Sequence, residues 1–243
     1  MRNTREMATA SIVTIGNELV SGDTVNTNGS WLAARLEALG VDVLVIAALT
    51  DEEERVAAFV RGQSTEVDVV LVTGGLGGTP DDITRESIAA AFGVPQEEQP
   101  AVAEALRARF QGDPDYVTRW AQLPEGSRPL ENPLGGAPGF ALGNVYVLPG
   151  LPAEMKAMFD TVAAELAGGS PIGSWRRTYR TTESRIVAVL EAGGERHPAV
   201  RVGSYPSFGA EGSSVEVVLK SSDPRALAAA RAWFEQALND VTT

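Results

Sequence analysis

Thr73-Gly74-Gly75-Leu76-Gly77-Gly78-Thr79-Pro80-Asp81-Asp82-Ile83-Thr84 is the stretch on which the fold turns. It follows the apolar run 67–72, which reads as a buried strand. It precedes Ile83, Ile88, Ala91 and Phe92, which recur at helical spacing. Four glycines and two adjacent carboxylates thus sit where a strand hands over to a helix. In an open α/β sheet, ligands bind at that end. Glycine lets the backbone approach a ligand, and the free N–H groups of a helix start attract an anion. Asp81 and Asp82 can hold a metal beside that anion. Thr79, Pro80 and Asp82 also fit a capping box, as N-cap, N1 residue and N3 carboxylate. That alternative leaves the glycine run unexplained. No Lys-Ser/Thr pair closes the run, so it is not a P-loop, and its spacing is not G-x-G-x-x-G.

Upstream, strand and helix patterns alternate. Residues 11–15 read as a strand, and 28–39 as a helix with Trp31, Leu32, Leu36 and Leu39 on one face. The nearly continuous apolar run 41–49 predicts a strand covered on both faces. Residues 51–61 open with acids, as helices prefer. This β-α-β-α-β-α order predicts a mainly parallel sheet with right-handed crossovers. The loop 16–28 then shares a crevice with the glycine run, bringing Gly16, Glu18, Asn26, Thr27 and Asn28 to it. Asn28 is alternatively only a helix N-cap. Asp51 either starts a helix or joins Asp81 and Asp82 in a cluster suited to a magnesium-like ion.

Downstream, 97–110 reads as an amphipathic helix, 115–122 as another, and the Pro/Gly-rich 123–143 as a hairpin and loop. A strand at 144–148 and a helix at 151–166 close this part. Gly168-Gly169-Ser170-Pro171 marks a boundary. Beyond it come a strand (175–180), a helix (183–192), strands (199–204 and 214–220) and a helix (225–238). The expected fold is α/β: a three-layer, mainly parallel sheet domain over 8–168, then a small α+β domain over 172–243.

The chain has 243 residues, 44% of them hydrophobic, enough for a sizeable core. No apolar run approaches the roughly 20 residues of a membrane span. Residues 1–8 are polar and charged, so no secretory signal is visible and a cytoplasmic location is expected. Absence of cysteine excludes disulfides, thiolate metal sites and a cysteine nucleophile. Twenty basic and 32 acidic residues give a net charge of −12, and only Lys156 and Lys220 are lysines. Such a surface repels nucleic acid phosphates, so neither nucleic acid nor membrane is an expected partner. An anionic ligand therefore needs backbone N–H groups, a bound cation or a nearby arginine. His197, the sole histidine, and the four tryptophans read as packing or surface residues.

Four motifs carry a resemblance. They are Ile15-Gly16-Asn17-Glu18-Leu19-x-x-Gly22 with Asn26-Thr27-Asn28; the run Thr73 to Thr84; Asn132-Pro133-x-Gly135-x-Ala137-Pro138-Gly139-Phe140; and Leu148-Pro149-Gly150-x-Pro152-x-Glu154-Met155. Together they resemble the N-terminal domain of the competence-damage-inducible (CinA) family, within the molybdopterin-binding superfamily. The tail, with Glu183-Ser184-Arg185-Ile186 and Val202-Gly203-Ser204-Tyr205-Pro206, resembles that family's KH-like domain. The family's longer members continue into an amidase domain, whose activity is not expected here. Asn17, Trp120 and Leu151 depart from the family pattern.

The resemblance implies metal-dependent hydrolysis of ADP-ribose-like dinucleotides. The implied ions are a divalent metal, magnesium or cobalt, with potassium. Asp51 and Asp82 match functionally important aspartates of the superfamily's adenylyltransferases, and are the expected catalytic pair. Asp51, Asp81 and Asp82 are the expected metal ligands. The expected nucleotide-binding residues are Gly16, Glu18, Asn26, Asn28, Thr73, Gly74, Gly75, Gly77, Thr79, Asn132, Gly139, Pro149, Gly150 and Glu154. Two alternatives stand beside this: a protein that binds molybdopterin or a nucleotide without turnover, and a pterin adenylyltransferase. Either way the partner is a small nucleotide or pterin, and the family implies a homo-oligomer, dimer or trimer.

Overall fold

Residue pairing sets the architecture. In the computed structural model, which describes residues 8–110, 114–209 and 212–242, β1 (Ala8–Ile15) pairs in parallel with both β2 (Val41–Leu49) and β3 (Val69–Thr73). β3 pairs in parallel with β8 (Val145–Leu148), and beyond it β7 (Gly139–Leu142) and β6 (Arg128–Leu130) pair antiparallel in turn. The sheet order is β2-β1-β3-β8-β7-β6. Ile15 lies opposite Leu49, Thr14 opposite Thr73, and Thr73 opposite Leu148. Four parallel strands therefore end level, and their following loops emerge at one edge.

Strand alternation sends Val13 and Ile15 to one face and Ala10 and Ile12 to the other. The first face packs on α3 (Glu53–Glu66) and α4 (Thr84–Phe92) through Val56, Val60 and Ile88. The second packs on α2 (Thr27–Ala38) and α7 (Pro152–Leu166) through Leu32, Leu36, Met155 and Phe159. Trp31 meets Phe159 edge to face at 5.4 Å. This is a mixed α/β fold with a mostly parallel central sheet.

Several elements differ from expectation. β2 is an edge strand, not one covered on both faces: Leu44 and Ile46 are 56% and 49% exposed. An apolar run states composition, not the place of a strand in the sheet order. The helix expected over 97–110 begins later. Gln96–Glu98 forms β4, antiparallel to β5 (Gln122–Pro124), and α5 spans Pro100–Arg109. Pro100 lacks an N–H and disfavours helical backbone at Gln99, which is extended, so the helix cannot reach further back. Residues expected as one helix over 115–122 form α6 (Pro114–Thr118) and a 3-10 turn at Arg119–Ala121. A single helical turn, α1 (Asn17–Ser21), interrupts the loop after β1.

Contacts divide the chain between Gly169 and Ser170. The second unit is β9 (Gly173–Tyr179), α8 (Glu183–Arg196), β10 (Arg201–Gly209), β11 (Gly212–Ser221) and α9 (Pro224–Thr242), with antiparallel order β10-β11-β9. This is the expected β-α-β-β-α order. Val215, Val217 and Leu219 of β11 pack on Ile186, Phe234 and Leu238. His197 lies 5.9 Å from the Trp233 ring, in keeping with a packed residue. Among the described residues, no helix is long and apolar enough to cross a membrane.

Candidate functional site

The loops that leave β1, β2, β3 and β8 enclose a cleft of about 450 Å³. Gly16 and Glu18 come from the first loop and Asp51 from the second. Gly74, Gly75, Gly77, Asp81 and Asp82 come from the third, and Pro149, Gly150 and Glu154 follow β8. A smaller recess of about 120 Å³, lined by Asn26, Asn28 and Thr73, shares Glu18, Gly74 and Gly150 with the cleft.

Close backbone approach accounts for Gly74. Its φ is +109°, and a Cβ there would run into the Ile15 carbonyl oxygen. Gly150 in turn lies against Gly74. Three strand ends thus meet backbone to backbone. Gly74→Ala therefore costs roughly 3 kcal/mol or more, from strain at positive φ plus the clash, measured as a fall in the urea midpoint.

Side chains lock the same junction. Thr73 Oγ1 donates to the Pro149 carbonyl at 2.7 Å, and Asn28 Nδ2 donates to the Gly150 carbonyl at 2.8 Å. Asn28 is therefore not the cap of α2. That role falls to Asn26, whose Oδ1 accepts from Gly29 N at 3.0 Å while its Nδ2 donates to Thr14 Oγ1 at 2.9 Å. Asn28 Oδ1 is buried without a hydrogen-bond partner, leaving an acceptor in the recess.

The glycine loop is held from two sides. Arg85, fully buried in the first turn of α4, donates to the Leu76 carbonyl at 2.9 Å and the Gly77 carbonyl at 2.5 Å. Burial pushes its guanidinium pKa below the ordinary value, with Glu86 opposing and Arg119 adding to the shift. Arg119 Nη1 donates to the Thr79 carbonyl at 3.1 Å and the Gly78 carbonyl at 3.3 Å. With those carbonyls turned toward arginines, neighbouring amides turn the other way. Gly77 N and Thr79 N each donate to Asp82 at 2.8 Å, and Thr79 Oγ1 donates to it at 2.5 Å.

Asp82 thus fills the amide cradle that the sequence assigns to a phosphate. It is not the N3 residue of a capping box either. α4 starts at Thr84, and Thr79–Asp82 is a turn closed by Asp82 N donating to the Thr79 carbonyl at 3.1 Å. The carboxylate still reaches back to Thr79, but in a turn outside the helix. Gly78 is absent from the cleft wall, and a Cβ there would meet the Tyr116 ring.

The cleft is acidic. Glu18, Asp51, Asp81, Asp82 and Glu154 line it, and no lining residue is basic. Burial pushes the Asp51 carboxyl above the usual range. A hydrogen bond from Asn17 N, at 2.8 Å, opposes the shift, and the charges of Glu18, Asp81 and Asp82 add to it. A hydrogen bond with Thr79 lowers the pKa of the exposed Asp81. Glu154 Oε2 accepts from Asn132 Nδ2 at 2.9 Å.

Among the described residues, no three acidic, histidine or cysteine side chains cluster closely enough to hold a metal ion on their own. Asp51, Asp81 and Asp82 share the cleft without forming such a group. Their chemistry still suits a hard cation. Magnesium is commonly held by one or two carboxylates, with waters and substrate phosphates completing its shell.

Other expected site residues lie elsewhere. Gly139 is inside β7, where a Cβ would meet the Val147 carbonyl and the Met158 sulfur, so its smallness serves packing. Asn132 lines a neighbouring pocket, and Thr79 supports Asp82 without forming the wall. Trp120, Gly136, Ala137 and Leu151 also line the cleft, although none of them was an expected site residue. Trp120 sits in the 3-10 turn, where no periodicity reveals which way a side chain faces.

Residues 11–168 match the family described as "Probable molybdopterin binding domain", and residues 178–243 match "FAD synthase, middle domain". A protein of Archaeoglobus fulgidus is 36% identical over 229 residues, covering 94% of this chain and 97% of its own length. A CinA-like protein of Frankia casuarinae is 39% identical over 199 residues, 75% of this chain and 46% of its own length, so the chain spans about half of that relative. Among solved structures, the protein CinA of Thermoplasma acidophilum, described as of unknown function, gives a TM-score of 0.63 at 31% identity. That similarity covers 66% of this chain and 98% of that one. A domain match over residues 11–168, joined to CinA-like relatives, makes this chain a member of the probable molybdopterin-binding domain family, in its CinA-like group.

Proposed function

We propose that the cleft binds ADP-ribose-like dinucleotides and hydrolyses their diphosphate with the help of a divalent cation. One observation carries the reading: five carboxylates and no basic side chain surround a glycine-rich backbone. A diphosphate entering such a site meets repulsion that a cation removes. Asp51 and Asp81 would hold magnesium or cobalt together with the substrate's phosphate oxygens, and the ion would supply Lewis-acid polarisation of the phosphoryl group.

The chain's own groups do the positioning. Asp82 keeps the loop amides of Gly77 and Thr79 ordered. Arg85 and Arg119 hold its carbonyls away from the substrate. Asn28, with its unpartnered Oδ1, offers an acceptor for a ribose hydroxyl. Water adds to one phosphorus, the bond to the bridging oxygen breaks, and AMP and ribose 5-phosphate leave.

The test is AMP release from ADP-ribose with magnesium or cobalt. Folded protein that releases no AMP with any divalent metal rejects the reading. The family match supports a second reading, binding of molybdopterin without turnover. It predicts calorimetric heat with the pterin and no AMP.

A further inference from the structure

A second pocket, of about 400 Å³, opens beside the acidic cleft between α5 and the segment 129–138. One face of α5 lines it: Ala101, Ala105 and Arg109 recur at four-residue spacing, with Val102 and Leu106 alongside. Pro129, Leu130 and Pro138 stand opposite. The room exists because α5 presents alanine methyl groups where longer side chains would close on the prolines.

Its chemistry contrasts with that of the cleft. Glu131 is the sole carboxylate among its lining residues, and Arg109 brings the one guanidinium. Arg109 lies over Gly135 and donates to the Leu134 carbonyl at 3.2 Å. The two spaces adjoin at Gly136, which lines both. Glu154 stands at that junction: a Cβ on Gly136 would come within 2.5 Å of its carboxylate.

We propose that this pocket takes the planar nitrogen heterocycle of the ligand, the purine of the nucleotide, while the phosphates lie in the acidic cleft. Apolar walls favour burial of a flat ring. A guanidinium in the lining can stack on such a ring through its own plane. A phosphate, by contrast, would find one cation and one carboxylate among mostly apolar walls. The placement of the phosphates and the choice of a purine rest on the function proposed above; the ring site itself does not.

Adenosine separates the two claims, because it has a purine and no phosphate. Saturation-transfer NMR and calorimetry without metal would compare wild type, Ala105→Trp and Arg109→Ala. Ala105 is solvent-exposed on α5, so the tryptophan is accommodated from outside the core, and an unchanged circular dichroism melt checks this.

Wild type should bind adenosine. Ala105→Trp should weaken binding about tenfold or more, and Arg109→Ala about threefold to fivefold. With ADP-ribose as substrate, Ala105→Trp should raise KM about tenfold with far less change in kcat. Folded wild type that ignores adenosine, or Ala105→Trp that binds it equally well, overturns the ring site whatever the AMP assay shows. Binding of neopterin in place of adenosine overturns the purine assignment. Adenosine binding without AMP release upholds the ring site and rejects the pyrophosphatase.

Discussion

If the proposed reaction holds, Asp51→Asn should lower AMP release by about a hundredfold or more, since losing a ligand of the proposed cation would remove several kcal/mol of transition-state stabilisation. The same change raises the thermal midpoint. Burial and the charges of Glu18, Asp81 and Asp82 hold the Asp51 carboxyl pKa above its ordinary 3.8. The native state therefore binds that proton more readily than the unfolded chain does. Ionising Asp51 costs stability above the raised pKa, and the cost vanishes as pH falls below 3.8. Asparagine removes the charge and keeps an acceptor for Asn17 N.

Asp82→Asn has the opposite effect on stability. Its amide end places a donor against one of the N–H groups that Asp82 now accepts, so the loop loosens and the midpoint falls. Calorimetric scans of the two variants without metal should move in opposite directions. Equal falls for both would sink the distinction between a residue strained for its chemistry and one that holds the loop.

Arg85→Ala costs about 3 kcal/mol or more, read from urea unfolding. It empties space inside a packed core and strips the Leu76 and Gly77 carbonyls of buried donors. Arg85→Lys should recover part of the loss, because one ammonium reaches one carbonyl where the guanidinium fork reaches two. Both variants should also raise KM for the proposed substrate, ADP-ribose, since the glycine loop loses its backing. A variant with wild-type stability would show that Arg119 alone suffices to hold the loop.

The alternation of strand and helix patterns up to Ile83 was enough to read a parallel sheet, and level strand ends brought Gly16, Asp51, Gly74 and Gly150 to one cleft as expected. Periodicity says nothing about lateral order, so Leu44 and Ile46 looked buried when they lie on an edge. Asn26 and Asn28 are chemically alike, and only the position of the Gly150 carbonyl tells which one caps. Arg85 was invisible as an anchor. An arginine in the first turn of a helix reads as a surface residue until the preceding loop is seen folded over it. The glycines misled in an instructive way. Gly74 and Gly77 are small because Ile15 and Asp82 crowd them, which is a reason internal to the chain.

The place of β8 governs how this domain comes into being. It lies between β3 and β7, and its partner residues in β3 were made far earlier, as in the pairing of Val70 with Val145. A nascent chain that has emerged only as far as β7 has three walls of the cleft and a β3 paired on one edge only. The fourth wall arrives with Pro149, Gly150 and Glu154. Pairings so distant along the chain are slow to form. Ligand-binding competence should therefore appear late in refolding, after helical signal has recovered, and be the first property lost when the chain is cut short.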